Sequence, residues 1–173
     1  MSKSSDSPAR VLGVDPGLRV TGYAVLECRP AGPHIAEAGI IRSTPGGKKT
    51  ADVALRIREL YDGIVEVVEQ YRPQVMVVES LFAHYDHPRT AILMAHARGV
   101  ILLAGVQQGL PIVNYTAPRI KKSITGHGRA TKEQMQRAMM REFKLPRLPE
   151  PADVADALAA ALCHHYQLRV PTR

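Results

Sequence analysis

Four consecutive apolar residues, Val75, Met76, Val77 and Val78, run straight into Glu79. An unbroken apolar run of strand length is the pattern of a strand covered on both faces, so the chain has to supply helices above and below a sheet. It has the material to do so. Residues 52–71 carry Val53, Ile57, Leu60, Ile64, Val67, Val68 and Tyr71 at helical spacing, and Pro73 ends that helix. Residues 90–108 predict a second long helix. Upstream, 11–14 is a short strand closed by the turn residues Asp15, Pro16 and Gly17; 22–27 alternates as a second strand and 35–41 as a third, an antiparallel meander. Downstream lie a strand over 110–115, a helix start at Thr116, Ala117 and Pro118, and a flexible basic loop over 126–129. Thr131 then caps a helix over 132–143, and after a proline-rich link Pro151 opens an alanine-rich helix over 152–167. The order β-β-β-α-β-α-β-α-α predicts one mixed α/β sheet with helices on its faces. Residues 1–10 read as a polar tail and 11–173 as a single domain, without internal repeats.

At 173 residues the chain is long enough for its own core to hold it. Cys28 and Cys163 have no partner at zinc-ligand spacing, which argues against a disulfide scaffold or a structural zinc and for two half-buried thiols in a reducing cytoplasm. His84, His87, His127, His164 and His165 are scattered, with no Cys or acid pattern to organise a tetrahedral set. The apolar stretches are interrupted by Arg, Gln or Gly before reaching membrane-spanning length, so no membrane is expected.

Charge points to a partner. Lys and Arg outnumber Asp and Glu by 23 to 16, a net +7. From His87 to Lys132 there is no carboxylate, while Arg89, Arg98, Arg119, Lys121, Lys122, Arg129 and Lys132 all fall there. Such a surface suits phosphate. Against it stand four acids: Asp15 and Glu79 at strand ends, and Asp153 with Asp156 at i, i+3 near the start of the last helix. Taken singly, each has an ordinary use, as a turn former, a solvated strand end or a complement to the helix dipole. If the two strands are neighbours and the helix lies beside them, the four share one small volume and repel unless a cation sits among them. Hard carboxylate oxygens suit Mg²⁺ or Mn²⁺, and a pair of such ions serves in-line phosphodiester displacement.

The motifs Val14 to Tyr23, Glu79 to Phe82, Ala97 to Gly99, Gly126 to Lys132 and Asp153 to Ala157, in that order, strongly resemble the RuvC family of Holliday-junction resolvases. The resemblance implies a ribonuclease H-like fold, a mixed five-stranded sheet flanked by helices on both faces. It implies a homodimer that resolves four-way DNA junctions in recombination and repair by paired nicks, with Mg²⁺ as cofactor, Mn²⁺ as a substitute and two ions per site. Asp15, Glu79, Asp153 and Asp156 match the metal-binding catalytic acids. Phe82 matches an aromatic that stacks on a base near the branch point, and Lys121 and Lys132 match lysines that hold the backbone phosphate. Lys122, Arg89 and Arg129 are further DNA-binding candidates, and a branch-migration motor is the implied partner. Tyr85 with Asp86, and Ala95 with His96, depart from the family pattern near the presumed DNA face.

Three other readings compete. An actin-like nucleotide-binding domain also opens with strand, Asp and small turn, but such proteins need two domains around a cleft. A ribonuclease H-type hybrid nuclease shares the acids. A junction-binding module without catalysis shares the basic surface.

Overall fold

The computed structural model describes residues 8–43, 52–80 and 88–169. In chain order the elements are β1 (Ala9–Asp15), β2 (Val20–Arg29), β3 (Gly32–Arg42), α1 (Val53–Tyr71), β4 (Val75–Ser80), α2 (Pro88–Gln107), β5 (Ile112–Thr116), α3 (Ala117–Thr125), α4 (Lys132–Glu142) and α5 (Ala152–Leu168). The sheet order is β3-β2-β1-β4-β5, antiparallel across β3, β2 and β1 and parallel across β1, β4 and β5. The mixed five-stranded sheet is as expected from the sequence.

Most element ends shift by one to three residues from the sequence reading, and two differences go further. Strand β1 begins at Ala9, inside the stretch read as tail, because Arg10 is anchored: its guanidinium donates to Glu27 Oε1 at 2.8 Å and to the Tyr71 carbonyl at 2.8 Å. Three helices rather than two follow the last strand. The helix start at Thr116 becomes the nine-residue α3, stopped by Gly126 in the left-handed conformation (φ 84°), whose N–H bonds the Lys122 carbonyl. Helix α4 begins with a reciprocal capping box between Thr131 and Gln134.

Strand alternation sends Leu12, Val14, Met76 and Val78 to one face, against Leu60, Ile64 and Val67 of α1 and Ala97, Ile101 and Ala104 of α2. It sends Val11, Val77, Ala24 and Leu26 to the other face, against α5, α4 and α3. Cys163 is fully buried there and Cys28 half-buried, so the expectation of two half-buried thiols holds only for Cys28.

On α5, His165 is 3% exposed, and neither ring nitrogen has a hydrogen-bond partner. Burial holds its pKa below the usual histidine value. The native state keeps it neutral while the unfolded chain protonates it, so stability is lost as pH falls through the ordinary histidine range. His165→Leu is expected to stabilise the protein by about 1 kcal/mol at pH 8, and by more at pH 5. Urea unfolding of both proteins at the two pH values checks it; an equal or smaller gain at pH 5 contradicts it.

Helix α2 is apolar nearly all round. Ala97, Ile101, Ala104 and Gly105 are buried, yet Ile92, Leu103 and Val106 are 59%, 51% and 63% exposed. By length and composition alone it is long and apolar enough to cross a bilayer. The interruptions at Arg98 and Gly99 therefore do not shorten the apolar segment as the sequence reading held. Its buried side packs on the same face of the sheet as α1.

Candidate active site

Asp15 is the last residue of β1, and Glu79 is the next-to-last of β4. The two strands run parallel with Val14 opposite Val78, so the acids follow one step further along at adjacent strand tips. Alternation puts both on the α5 face, since Val11, Gly13 and Val77 point that way while Val14 and Val78 point to the other. The turn after Asp15 is tied by the fully buried Thr21, whose hydroxyl donates to the Gly17 carbonyl at 2.6 Å and accepts from the Gly17 N–H at 3.2 Å.

Asp153 and Asp156 belong to the first turns of α5, and two glycines bring that helix onto the strands. A Cβ on Gly22, the residue paired with Asp15, would lie 2.0 Å from the Asp153 carbonyl oxygen. A Cβ on Gly13 would lie 2.2 Å from the carbonyl oxygen of Ala157 and 2.7 Å from the amide nitrogen of Ala161. Only residues without side chains let the helix backbone approach so closely. The buried Ala157, Ala160 and Ala161 complete the contact from the helix side.

The electrostatics follow from this convergence. Asp15 is pushed up to about 8, first by burial, then by repulsion from Asp156, Glu79 and Asp153, against which Lys132 pulls it down. Glu79 is raised by burial and by Asp156, with Lys121 and Lys132 opposing. Burial also raises Asp156, with Lys132 and Lys121 opposing and Asp153 adding to the rise. The four acids and the two lysines therefore form one interacting set. Lys132 opens α4, where a cation works against the helix dipole; the carboxylates it faces supply the compensation.

The remaining candidates fall elsewhere. Lys122 and Arg129 are exposed on α3 and on the loop before α4, and neither is among the charges acting on the acids. Arg89 lines a cavity of about 790 Å³ between the β1–β2 turn and the starts of α1 and α2, together with Arg19, Leu18, Val53 and Leu93. None of the four acids lines that cavity. Phe82, Tyr85, Asp86, His84 and His87 lie outside the described residues.

The donor set fits hard divalent cations in its chemistry, all carboxylate and mutually repelling. Among the described residues, however, no three His, Cys, Asp or Glu side chains are drawn together closely enough to grip an ion as they stand. Charge repulsion within the set favours such a spread. Gly13 and Gly22, which let α5 lie against the strands, are not singled out by the sequence reading; a glycine inside an otherwise apolar or alternating strand is the available signal.

Residues 11–164 match the family model described as crossover junction endodeoxyribonuclease RuvC. Crossover junction endodeoxyribonuclease RuvC of Rhodopirellula baltica is 46% identical over 165 residues, covering 95% of this chain and 90% of the relative. The corresponding protein of Methylobacillus flagellatus is 42% identical over 156 residues, covering 90% and 86%. Among solved structures, Thermus thermophilus RuvC in complex with Holliday junction substrate superposes with a TM-score of 0.83 at 28% identity, covering 93% of this chain and 95% of that one. The yeast mitochondrial Holliday junction resolvase shares the fold, with a TM-score of 0.65 at 15% identity over 96% and 83%.

Proposed function

Because the chain belongs to the RuvC family of crossover junction endodeoxyribonucleases, we propose that it is a cytoplasmic, metal-dependent nuclease resolving four-way DNA junctions by paired nicks. The observation that carries this reading is one set of interacting charges: Asp15, Glu79, Asp153 and Asp156 on the α5 side of two strand tips, with Lys121 and Lys132 facing them. The four carboxylates would hold two Mg²⁺, with Mn²⁺ as a substitute, supplying Lewis acidity to the scissile phosphate. Lys121 and Lys132 draw the phosphate toward the acids and offset their charge. Lys122 and Arg129 extend the cationic surface along the exposed side of α3 and its following loop, and Arg89 carries it to the mouth of the cavity beside α2. Phe82 is assigned to stacking on a base near the branch point, a contact indifferent to sequence.

A four-way junction presents two equivalent strands, which a twofold pair of subunits cuts most simply. The exposed stripe of α2 fits a second copy of itself: Ile92, Ala95, Gly99, Leu103 and Val106 recur at three- and four-residue steps, with small residues at Ala95 and Gly99. Leu103→Glu is expected to weaken the dimer about 30-fold by placing a charge in the apolar contact, with secondary structure retained. Sedimentation across a concentration series checks it, and an unchanged dimer contradicts the assignment. A branch-migration motor is the partner for junction delivery.

The function is tested with labelled four-way junction, linear duplex and DNA–RNA hybrid, with and without Mg²⁺. Symmetrical nicks in the junction alone, dependent on Mg²⁺, support the reading. Cutting confined to the hybrid assigns a ribonuclease H-type activity instead, and junction binding without cutting assigns a recognition module.

A further inference from the structure

Arg98 stands in the carboxylate-free stretch, where a phosphate contact would be its simplest use, yet its guanidinium is turned inward. Its Nε donates to the main-chain carbonyl of Glu79 at 3.3 Å, and its Nη2 donates to the side-chain oxygen of Asn114. Asn114 lies on β5 directly opposite Val78 of β4, one step before the Glu79–Tyr115 pair. One planar group from α2 thus ties together the ends of two parallel strands where β4 delivers Glu79. Arginine suits this use because its donors point in fixed directions from a rigid plane, so bonding one to a carbonyl and another to an amide sets the relative position of both.

We propose that Arg98 is a positioning residue: it fixes the peptide plane at Glu79, and through it the direction of the Glu79 side chain toward the other three acids. At its tip β4 is paired on one edge only: the β1 pairing ends at Val14 and Val78, while Glu79 and Ser80 pair with Tyr115 and Thr116 of β5, so a contact from α2 adds a constraint that the sheet does not supply. Arg98 also neighbours Gly99 in the exposed α2 stripe, and the helix expected to meet the second subunit is therefore the one that holds the acid. Partners that orient a ligating group typically change metal affinity or activity by 10–100-fold without touching the ion. The inference rests on the assignment of Glu79 as a metal-holding acid.

The test compares wild type with Arg98→Met, Arg98→Lys and Asn114→Ala in three measurements: Mn²⁺ binding to the protein without DNA by electron paramagnetic resonance, junction affinity in Ca²⁺ across a salt series, and single-turnover cleavage against Mg²⁺ concentration. Arg98→Met is expected to weaken Mn²⁺ binding about 10-fold and to raise the Mg²⁺ needed for half-maximal cleavage by a similar factor, with junction affinity and its salt dependence unchanged. Arg98→Lys keeps the charge but offers a single nitrogen in place of the planar fork, and is expected to recover part of the loss; Asn114→Ala is expected to show a smaller effect of the same sign. Lower junction affinity with a shallower salt slope and unaltered Mn²⁺ binding would make Arg98 a phosphate contact and overturn the proposal. Lower thermal stability with unaltered Mn²⁺ and Mg²⁺ responses would make it merely structural and overturn it equally. Failure of the wild type itself to bind Mn²⁺ or to cut the junction would instead overturn the assignment of Glu79, a distinguishable result.

Discussion

Asp15→Asn is expected to lower junction cleavage by about 10³-fold or more while leaving junction affinity within a few-fold of wild type. Charge stabilisation by a bound cation is worth several kcal/mol in the transition state, and each 1.36 kcal/mol is a factor of ten. The amide preserves shape but removes the anionic oxygen. Binding is carried by lysines and arginines, and one acid fewer subtracts nothing from their attraction. Equal loss of binding and cutting would show that Asp15 organises the DNA surface instead.

The same substitution is expected to stabilise the metal-free protein. The Asp15 carboxyl is pushed up to about 8 in the folded state, above its usual value of 3.8, by burial and three neighbouring carboxylates. The native state therefore binds more protons than the unfolded chain between those values, and wild-type stability falls as pH rises through that window. Asparagine removes the Asp15 share of the dependence, while the raised Glu79 and Asp156 keep theirs. Its advantage over wild type grows from pH 4 toward pH 8, reaching on the order of 2–4 kcal/mol without divalent ions, and Mg²⁺ reduces it by stabilising wild type selectively. Thermal denaturation at several pH values, with EDTA or Mg²⁺, measures each part. This is the stability–activity conflict common to functional sites: a cluster suited to a cation strains the protein that lacks one.

Gly22→Ala and Gly13→Ala are expected to have the second-largest effect. A methyl group at either position would sit 2.0–2.2 Å from a carbonyl oxygen of α5. That neighbour is helix backbone and cannot turn aside as a side-chain tip could. The helix has to move, at a cost of about 1–3 kcal/mol or more for overpacking. Because Asp153 and Asp156 ride on the displaced helix, cleavage is expected to fall about 100-fold, the usual consequence of roughly 1 Å of misplacement. Gly22→Ala, beneath Asp153 itself, is expected to lose more activity per unit of lost stability than Gly13→Ala. Wild-type melting temperature and rate in both variants would show that the approach of α5 to the sheet is not what assembles the acids.

What could be read in the residues, and what could not, divides along physical lines. Val75, Met76, Val77 and Val78 announce a doubly covered strand by composition alone, and Asp15 and Glu79 mark its tip and a neighbour's because a carboxylate ends an apolar run. Asp153 and Asp156 share a helical face by spacing. Proximity between these parts is a matter of tertiary packing, which local pattern does not encode. Gly13 and Gly22 read simply as strand residues until α5 lies on them. Arg98 reads as one cation among seven, since nothing in its neighbours tells whether a guanidinium turns toward solvent or toward a strand end. Helix α2 is apolar on nearly every side, so periodicity could not separate the face on the sheet from the exposed stripe of Ile92, Leu103 and Val106. The start at Thr116 was visible, but Gly126, which ends α3, is equally at home in a loop.

The most direct test of the central claim, that four carboxylates converge to hold divalent cations, is anomalous diffraction from crystals soaked in millimolar Mn²⁺. The expected result is a peak within about 2.2 Å of a carboxylate oxygen of Asp15, shared with Glu79, Asp153 or Asp156. Crystals whose only Mn²⁺ peaks lie away from these four residues, or that show none, would contradict it.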